Sequence, residues 1–155
     1  MKTAALEKRV AAGERVLLDT STLVAYFNGN EVVSPVAQHV IDVLVHDGRN
    51  AAVVSALTAA EVFVLPLRAA PRGLPHIHAF LTRWPNLSLM NIDLHVAQEA
   101  ATVRAAHGFK TPDAVIIASG IVAQVAHLVT NDAAWNKKLA SMKARFRVCE
   151  LANYA

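Results

Sequence analysis

Arg15-Val-Leu-Leu-Asp19-Thr-Ser-Thr22 is the stretch on which the fold turns. Its apolar run shows no polar alternation, as expected of a strand covered on both faces, and it stops at a carboxylate followed by hydroxyls. Ala51-Ala-Val-Val-Ser55 and Ala126-His-Leu-Val-Thr130 repeat that pattern, again ending in polar residues. Leu87-Ser-Leu-Met-Asn-Ile92 and Phe146-Arg-Val-Cys-Glu150 read as two more strands, the last nearer an edge. Helical patterns fill the intervals. Val36, Val40, Val43 and Leu44 share a face up to Gly48, and Leu94, Ala97, Ala101 and Arg104–Ala105 recur at helical spacing up to Gly108. A weaker helix spans Pro75 to Trp84. Strands alternating with helices imply an α/β sandwich around a mainly parallel sheet.

The 155 residues suit one domain, 1–155, with residues 1–14 as a polar, helical lead-in. Hydrophobic residues make up 54% and charged ones 17%, with mean hydropathy +0.34, which excludes a disordered, highly charged chain. Cys149 is the only cysteine, so no disulfide scaffold forms within the chain and a reducing cytoplasm is the expected compartment. Lys2, Glu7, Lys8 and Arg9 interrupt any signal-peptide core. Ala114 to Thr130 falls short of the ~20 residues of a membrane span and carries Gly120, Gln124 and His127, so it reads as a buried helix followed by a strand. A net charge of +3 permits a nucleic-acid partner without requiring one.

The placing of the acids is more telling. In an open parallel sheet, ligands bind beyond the carboxyl ends of the strands, where the strand order reverses. Asp19 closes the first strand, Glu61 lies about one turn into the helix after the second, and Asp132 follows Leu128-Val-Thr130. Asp113 opens the helix Thr111-Pro-Asp-Ala-Val-Ile-Ile-Ala118, which leads into the Asp132 strand. All four are expected on one rim. Each also has a plain structural explanation. Thr58-Ala-Ala-Glu61 is a capping box, Thr111-Pro112-Asp113 is a helix start, Asn131 or Asp132 could cap the last helix, and Asp19 could merely precede a Thr20/Ser21 cap. Capping, however, does not require four acids to face one another.

Clustered carboxylates repel, and a divalent cation resolves that repulsion. Hard oxygen donors without cysteine suit Mg²⁺ or Mn²⁺ rather than Zn²⁺. Two such ions ~3.5–4 Å apart bind a phosphate and activate a water, the chemistry of phosphodiester hydrolysis. A basic rim is needed to bring a polyanion to the acids, and Arg68, Arg72, Lys110, Lys137 and Lys138 are its candidates.

At four places the sequence resembles the PIN-domain ribonucleases, in particular the VapC-type toxins of bacterial toxin–antitoxin pairs. They are Leu18-Asp-Thr-Ser-Thr-Leu-Val-Ala-Tyr26, Ser55 through Glu61-Val62, Pro112-Asp-Ala-Val-Ile-Ile-Ala118 and Leu128-Val-Thr-Asn-Asp132. The likeness runs from about Val16 to Phe146. It implies a three-layer α/β/α fold and a Mg²⁺- or Mn²⁺-dependent endoribonuclease with an RNA substrate and a cognate antitoxin. It makes Asp19, Glu61, Asp113 and Asp132 the catalytic, metal-holding quartet, and gives Ser21 (or Thr20) and Thr130 supporting roles. Gly120 replaces a small alanine often seen there, a change expected to be tolerated.

The remaining features read as structure. His76 and His78 point apart on a helix; Asp42 and His46 suit a surface pair; His127 fits a satisfied core position, and Cys149 a small buried hydrophobe. Trp84 and Trp135 suit packing better than base stacking. The apolar excess in a short chain points to surface covered by a homodimer partner or an antitoxin segment. A receiver domain is disfavoured because Asp19 has no acidic neighbour and Phe146 to Ala155 holds no lysine; a haloacid-dehalogenase-like phosphatase wants an acid where Ser21 stands. The alternative that survives is a non-catalytic PIN-like module that binds RNA or protein.

Overall fold

The computed structural model describes residues 1–142 and 145–155. Five strands form one parallel sheet: β1 (Val16–Leu18), β2 (Ala52–Ser55), β3 (Leu87–Met90), β4 (His127–Thr130) and β5 (Arg147–Glu150). Their order is β3-β2-β1-β4-β5. In register, Leu17 lies beside Val53 on one side and Leu128 on the other. The chain builds outward from β1 to β2 and β3, then crosses to β4, so the order reverses between β1 and β4. All five expected strands are present. Both β3 and β5 are edges.

The strands alternate between two cores. Val16, Leu18, Ala52, Val54 and Val129 face one helical layer, whereas Leu17, Val53 and Leu128 face the other. The first layer holds α1 (Thr3–Arg9), α2 (Thr20–Asn28), α3 (Ser34–Gln38), α4 (Ala56–Ala69) and α5 (Leu74–Arg83). The second holds α6 (Leu94–His107), α7 (Thr111–Val122) and α8 (Ala134–Lys138). This is the three-layer α/β/α sandwich. Both faces of β1, β2 and β4 are covered, which is why these strands read as apolar runs without polar alternation, His127 in β4 being the one polar residue before their polar ends. Among the described residues, no helix is long and apolar enough to cross a membrane.

Several local expectations need correction. The N-terminal segment forms the expected helix, α1, but is also packed on the domain: Leu6 is completely buried, Val10 follows it into the core, and Arg9 donates to the Val148 carbonyl at 2.8 Å. α6 presents Val96, Ala100 and Val103 to α7, while the expected face of Leu94, Ala97 and Ala101 is exposed. Alanines fit either environment and misplaced the stripe. α3 continues through a π-helical stretch, His39–Val45, whose i→i+5 bonds rotate Val43 out to solvent. Gly120 is not an interchangeable small residue. A Cβ built there would stand 2.5 Å from Phe146 Cζ, so its hydrogen side chain sets the closeness of α7 to the sheet.

Candidate active site

Where β1 ends, Asp19 becomes the N-cap of α2, its Oδ1 accepting from the Thr22 backbone N–H at 3.0 Å. It therefore caps the helix itself rather than preceding a cap. Ser21 also donates to Oδ1 at 2.8 Å, and Thr130, at the end of β4, donates to Oδ2 at 2.6 Å. Asp19 is only 4% exposed. Burial holds its carboxyl above the usual aspartate range, while the Thr130, Thr22 and Ser21 donors pull the other way. Ser21 accepts from the Asn131 backbone N–H at 2.7 Å, and Thr130 Oγ1 from that of Asp132 at 2.9 Å, so the two strand-end loops are stitched together.

The other three acids come from separate elements. Glu61 projects from α4, whose N-cap is Ser55, not Thr58. The capping-box reading of Glu61 thus fails; its carboxylate instead accepts the hydroxyl of Thr20. Asp113 lies in the first turn of α7, whose N-cap is Lys110 rather than Thr111, and it pairs with Lys138 Nζ at 3.0 Å. For Asp132 the structural explanation holds in part, since Oδ1 accepts from the Ala134 N–H at 2.9 Å, leading the chain into α8.

All four acids line one cavity of about 320 Å³, together with Thr20, Ser21, Val24, Pro112, Ile116, Trp135 and Lys138. Of the five basic rim candidates, only Lys138 lines this cavity. Arg68 lies two helical turns beyond Glu61 along α4, and Arg72 follows that helix. Lys110 and Lys137 are exposed. Trp135 is buried as expected, yet it also forms a cavity wall, and Lys138 Nζ lies 4.7 Å from its ring centroid. That dual role carries no separate signal in the sequence. Thr22 was also missed: its amide holds Asp19, and its hydroxyl donates to the Val129 carbonyl at 2.9 Å. The Asp-x-x-Thr spacing was the available clue.

The donors are oxygens of carboxylates and hydroxyls, the set that hard divalent cations take. As the side chains stand, no three His, Cys, Asp or Glu among the described residues converge closely enough to hold an ion. All four acids are instead engaged by the protein: Asp19 and Asp132 by hydroxyl or backbone N–H donors, Glu61 by a hydroxyl and Asp113 by an ammonium, a protein cation that lines the same cavity. The residues fit a divalent cation in charge and donor type, with Asp113 and Glu61 turned to their present partners.

Elsewhere, several titratable groups have structural partners. Asp42 accepts from Tyr26 at 2.8 Å and His46 pairs with Asp47 at 3.0 Å, so Asp42 and His46 form no chelate. Burial pushes the Cys149 thiol up to about 11, consistent with an inert core position. His127 is only half satisfied: Nε2 meets Glu14 at 2.7 Å, but Nδ1 has no partner among the described residues.

An α/β/α sandwich with four acids gathered at the β1/β4 reversal defines the class of protein. The family model of the PIN domain matches residues 16–139, and the chain belongs to that family. Solved structures share the fold. A toxin–antitoxin complex from Klebsiella pneumoniae is 22% identical with a TM-score of 0.62, covering 88% of this chain and 97% of its own. VapBC2 from Rickettsia felis, bound to a promoter DNA fragment, is 15% identical with a TM-score of 0.67, covering 88% and 98%. The sarcin-ricin-loop-cleaving toxin VapC20 of Mycobacterium tuberculosis is 15% identical with a TM-score of 0.64, covering 84% and 98%. Comparison with curated proteins finds no match.

Proposed function

We propose that this chain is a metal-dependent endoribonuclease acting as the toxin of a toxin–antitoxin pair in the cytoplasm. The observation that carries the reading is the shared cavity of Asp19, Glu61, Asp113 and Asp132, with Asp19 buried and held by three donors. Asp19, held by three hydrogen-bond donors, would anchor a bound Mg²⁺ or Mn²⁺, and Asp113, Asp132 and Glu61 would complete the set. A bound divalent cation supplies positive charge to the scissile phosphate and lowers the pKa of a coordinated water. Ser21 and Thr130 orient the Asp19 carboxylate, and Thr20 orients that of Glu61. Lys110, Lys137, Arg68 and Arg72, outside the cavity, are candidates to steer RNA toward it.

The partner reading rests on the family, on neighbours solved as toxin–antitoxin complexes, and on exposed apolar side chains. Val64, Leu65 and Leu67 on α4, and Ile92 and Leu94 before and at the start of α6, are exposed, which suits coverage by an antitoxin segment or a second copy of this chain.

The deciding experiment is cleavage of pooled, end-labelled RNA by purified protein in Mg²⁺, Mn²⁺ or EDTA, beside Asp19→Asn and Asp113→Asn. Metal-dependent cutting lost in both variants supports the reading. Absence of cutting by folded, antitoxin-free protein in every metal returns the chain to a non-catalytic binding module.

A further inference from the structure

Five of the chain's basic side chains were candidates for a solvated rim, but one of them is turned inward. Lys138 Nζ stands 3.0 Å from Asp113 Oδ2 and 4.7 Å from the Trp135 ring centroid, inside the four-acid cavity. Trp135 is 4% exposed, so the indole is a fixed platform and not a mobile surface ring. The lysine side chain is 34% exposed, well covered for a residue at the last position of a short helix. Asp132 and Lys138 flank the same short segment, which returns the ammonium toward the acids the segment left.

We propose that Lys138 is the cavity's own cation, a built-in competitor that occupies Asp113 until a divalent ion displaces it. This rests on the metal reading above. An ammonium and a divalent ion cannot share Oδ2 of Asp113 without mutual repulsion, so one leaves when the other arrives. A half-screened ion pair and one cation–π contact are individually modest interactions, whereas a divalent ion engages several carboxylates at once. The ion therefore wins at sufficient concentration, and the lysine sets where that concentration lies. Without the lysine, the acids face each other unneutralised and bind the ion more readily. The displaced ammonium stays tethered beside the cavity by its four-carbon stem.

The test is Mn²⁺ binding to the full chain by isothermal titration calorimetry, comparing wild type, K138M, K137M and D19N. Methionine keeps the apolar stem against Trp135 and removes the charge; Lys137, exposed next door, removes the same charge from outside the cavity. K138M is expected to bind Mn²⁺ about tenfold more tightly, the scale of one unit charge removed at contact distance in partly screened surroundings. K137M is expected to stay within about twofold, as a solvated charge is largely screened. As a second readout, Mg²⁺ is expected to shift Trp135 emission in a Trp84→Phe background, and the shift to vanish when K138M is added. If the K138M circular dichroism spectrum departs from wild type, K138Q repeats the comparison. Wild-type binding that D19N abolishes and K138M leaves unchanged or weakens overturns this proposal alone. Equal tightening in K137M also overturns it, by assigning the effect to net charge. Failure of both wild type and K138M to bind Mn²⁺ overturns the metal reading and this proposal with it.

Discussion

Thr130, the last residue of β4, donates its hydroxyl to Oδ2 of Asp19, just past the end of β1, at 2.6 Å. The contact follows from register: Leu18 lies beside Val129, so the next residue of each strand emerges at the same rim. The same oxygen of Thr130 accepts the Asp132 backbone N–H. Thr130→Val keeps the shape, removes a donor from a buried carboxylate and orphans that N–H. It is expected to cost about 1–3 kcal/mol in urea denaturation at pH 7, with Thr130→Ser recovering most of the loss. Equal stability of the valine variant would show that the hydroxyl is dispensable to Asp19.

Thr58 makes the opposite case. It sits in the first turn of α4, fully buried, and its Oγ1 has no hydrogen-bond partner among the described residues. Its apparent role as a helix cap belongs to Ser55, whose Oγ accepts from the Leu57 N–H at 3.3 Å. Thr58→Val replaces an unpaired hydroxyl by a methyl of the same shape, and is expected to raise stability by about 1 kcal/mol. A loss of stability in thermal or urea unfolding would show that the hydroxyl is engaged.

The contrast between these two threonines shows what the sequence could disclose. Strands β1, β2 and β4 were legible because burial on both faces leaves Leu, Val and Ala runs, interrupted only by His127 in β4, and the polar residues ending them marked the rim. The acids were legible because charges are costly in apolar sequence. Which hydroxyl reaches which carboxylate depends on cross-strand register and cap position, and a three-residue shift of the α4 N-cap, to Ser55, turned Thr58 from cap to core. Lys138 was readable as a cation, but not as one facing inward, because that depends on where Trp135 packs. The α6 face was misplaced for a related reason: its alanines fit core and surface alike.

At the opposite end of β4, Glu14 holds both His127 and Arg147. Partial burial by itself raises its carboxyl, but hydrogen bonds from His127, the Ala11 N–H and Arg147 outweigh that and bring it down to about 2 from 4.5. A depressed carboxylate contributes its stability fully above the unfolded value and loses it as pH falls from about 4.5 toward 2. His127 acts in the same direction. Burial lowers its value despite the Glu14 contact, so its neutral form suits the fold and stability begins to fall once pH drops below about 6.5. Glu14→Gln is expected to cost about 1–3 kcal/mol at pH 7. Its deficit relative to wild type should shrink by about half by pH 3, as the wild-type carboxylate loses its advantage. Urea titrations at pH 7, 5 and 3 check this; a deficit constant down to pH 3 would assign the loss to packing instead.

Gly120 fixes the distance between α7 and the sheet. A Cβ there would meet Phe146 Cζ at 2.5 Å, Val125 Cγ2 at 3.0 Å and Leu17 Cδ2 at 3.1 Å. Phe146 is 2% exposed, so its ring has no solvent to swing into. Two effects oppose each other in Gly120→Ala: helix propensity improves by about 1 kcal/mol, while overpacking a filled core costs about 1–3 kcal/mol. Because three side chains must move at once, the clash is expected to prevail, with a net loss of about 1–2 kcal/mol. Phe146→Leu shortens the nearest obstacle, so Gly120→Ala should cost less in that background, and the double-mutant cycle measures the difference directly. A more stable Gly120→Ala single variant would show that α7 can lift from the sheet at little cost, and the glycine would then be no constraint on the helix that carries Asp113.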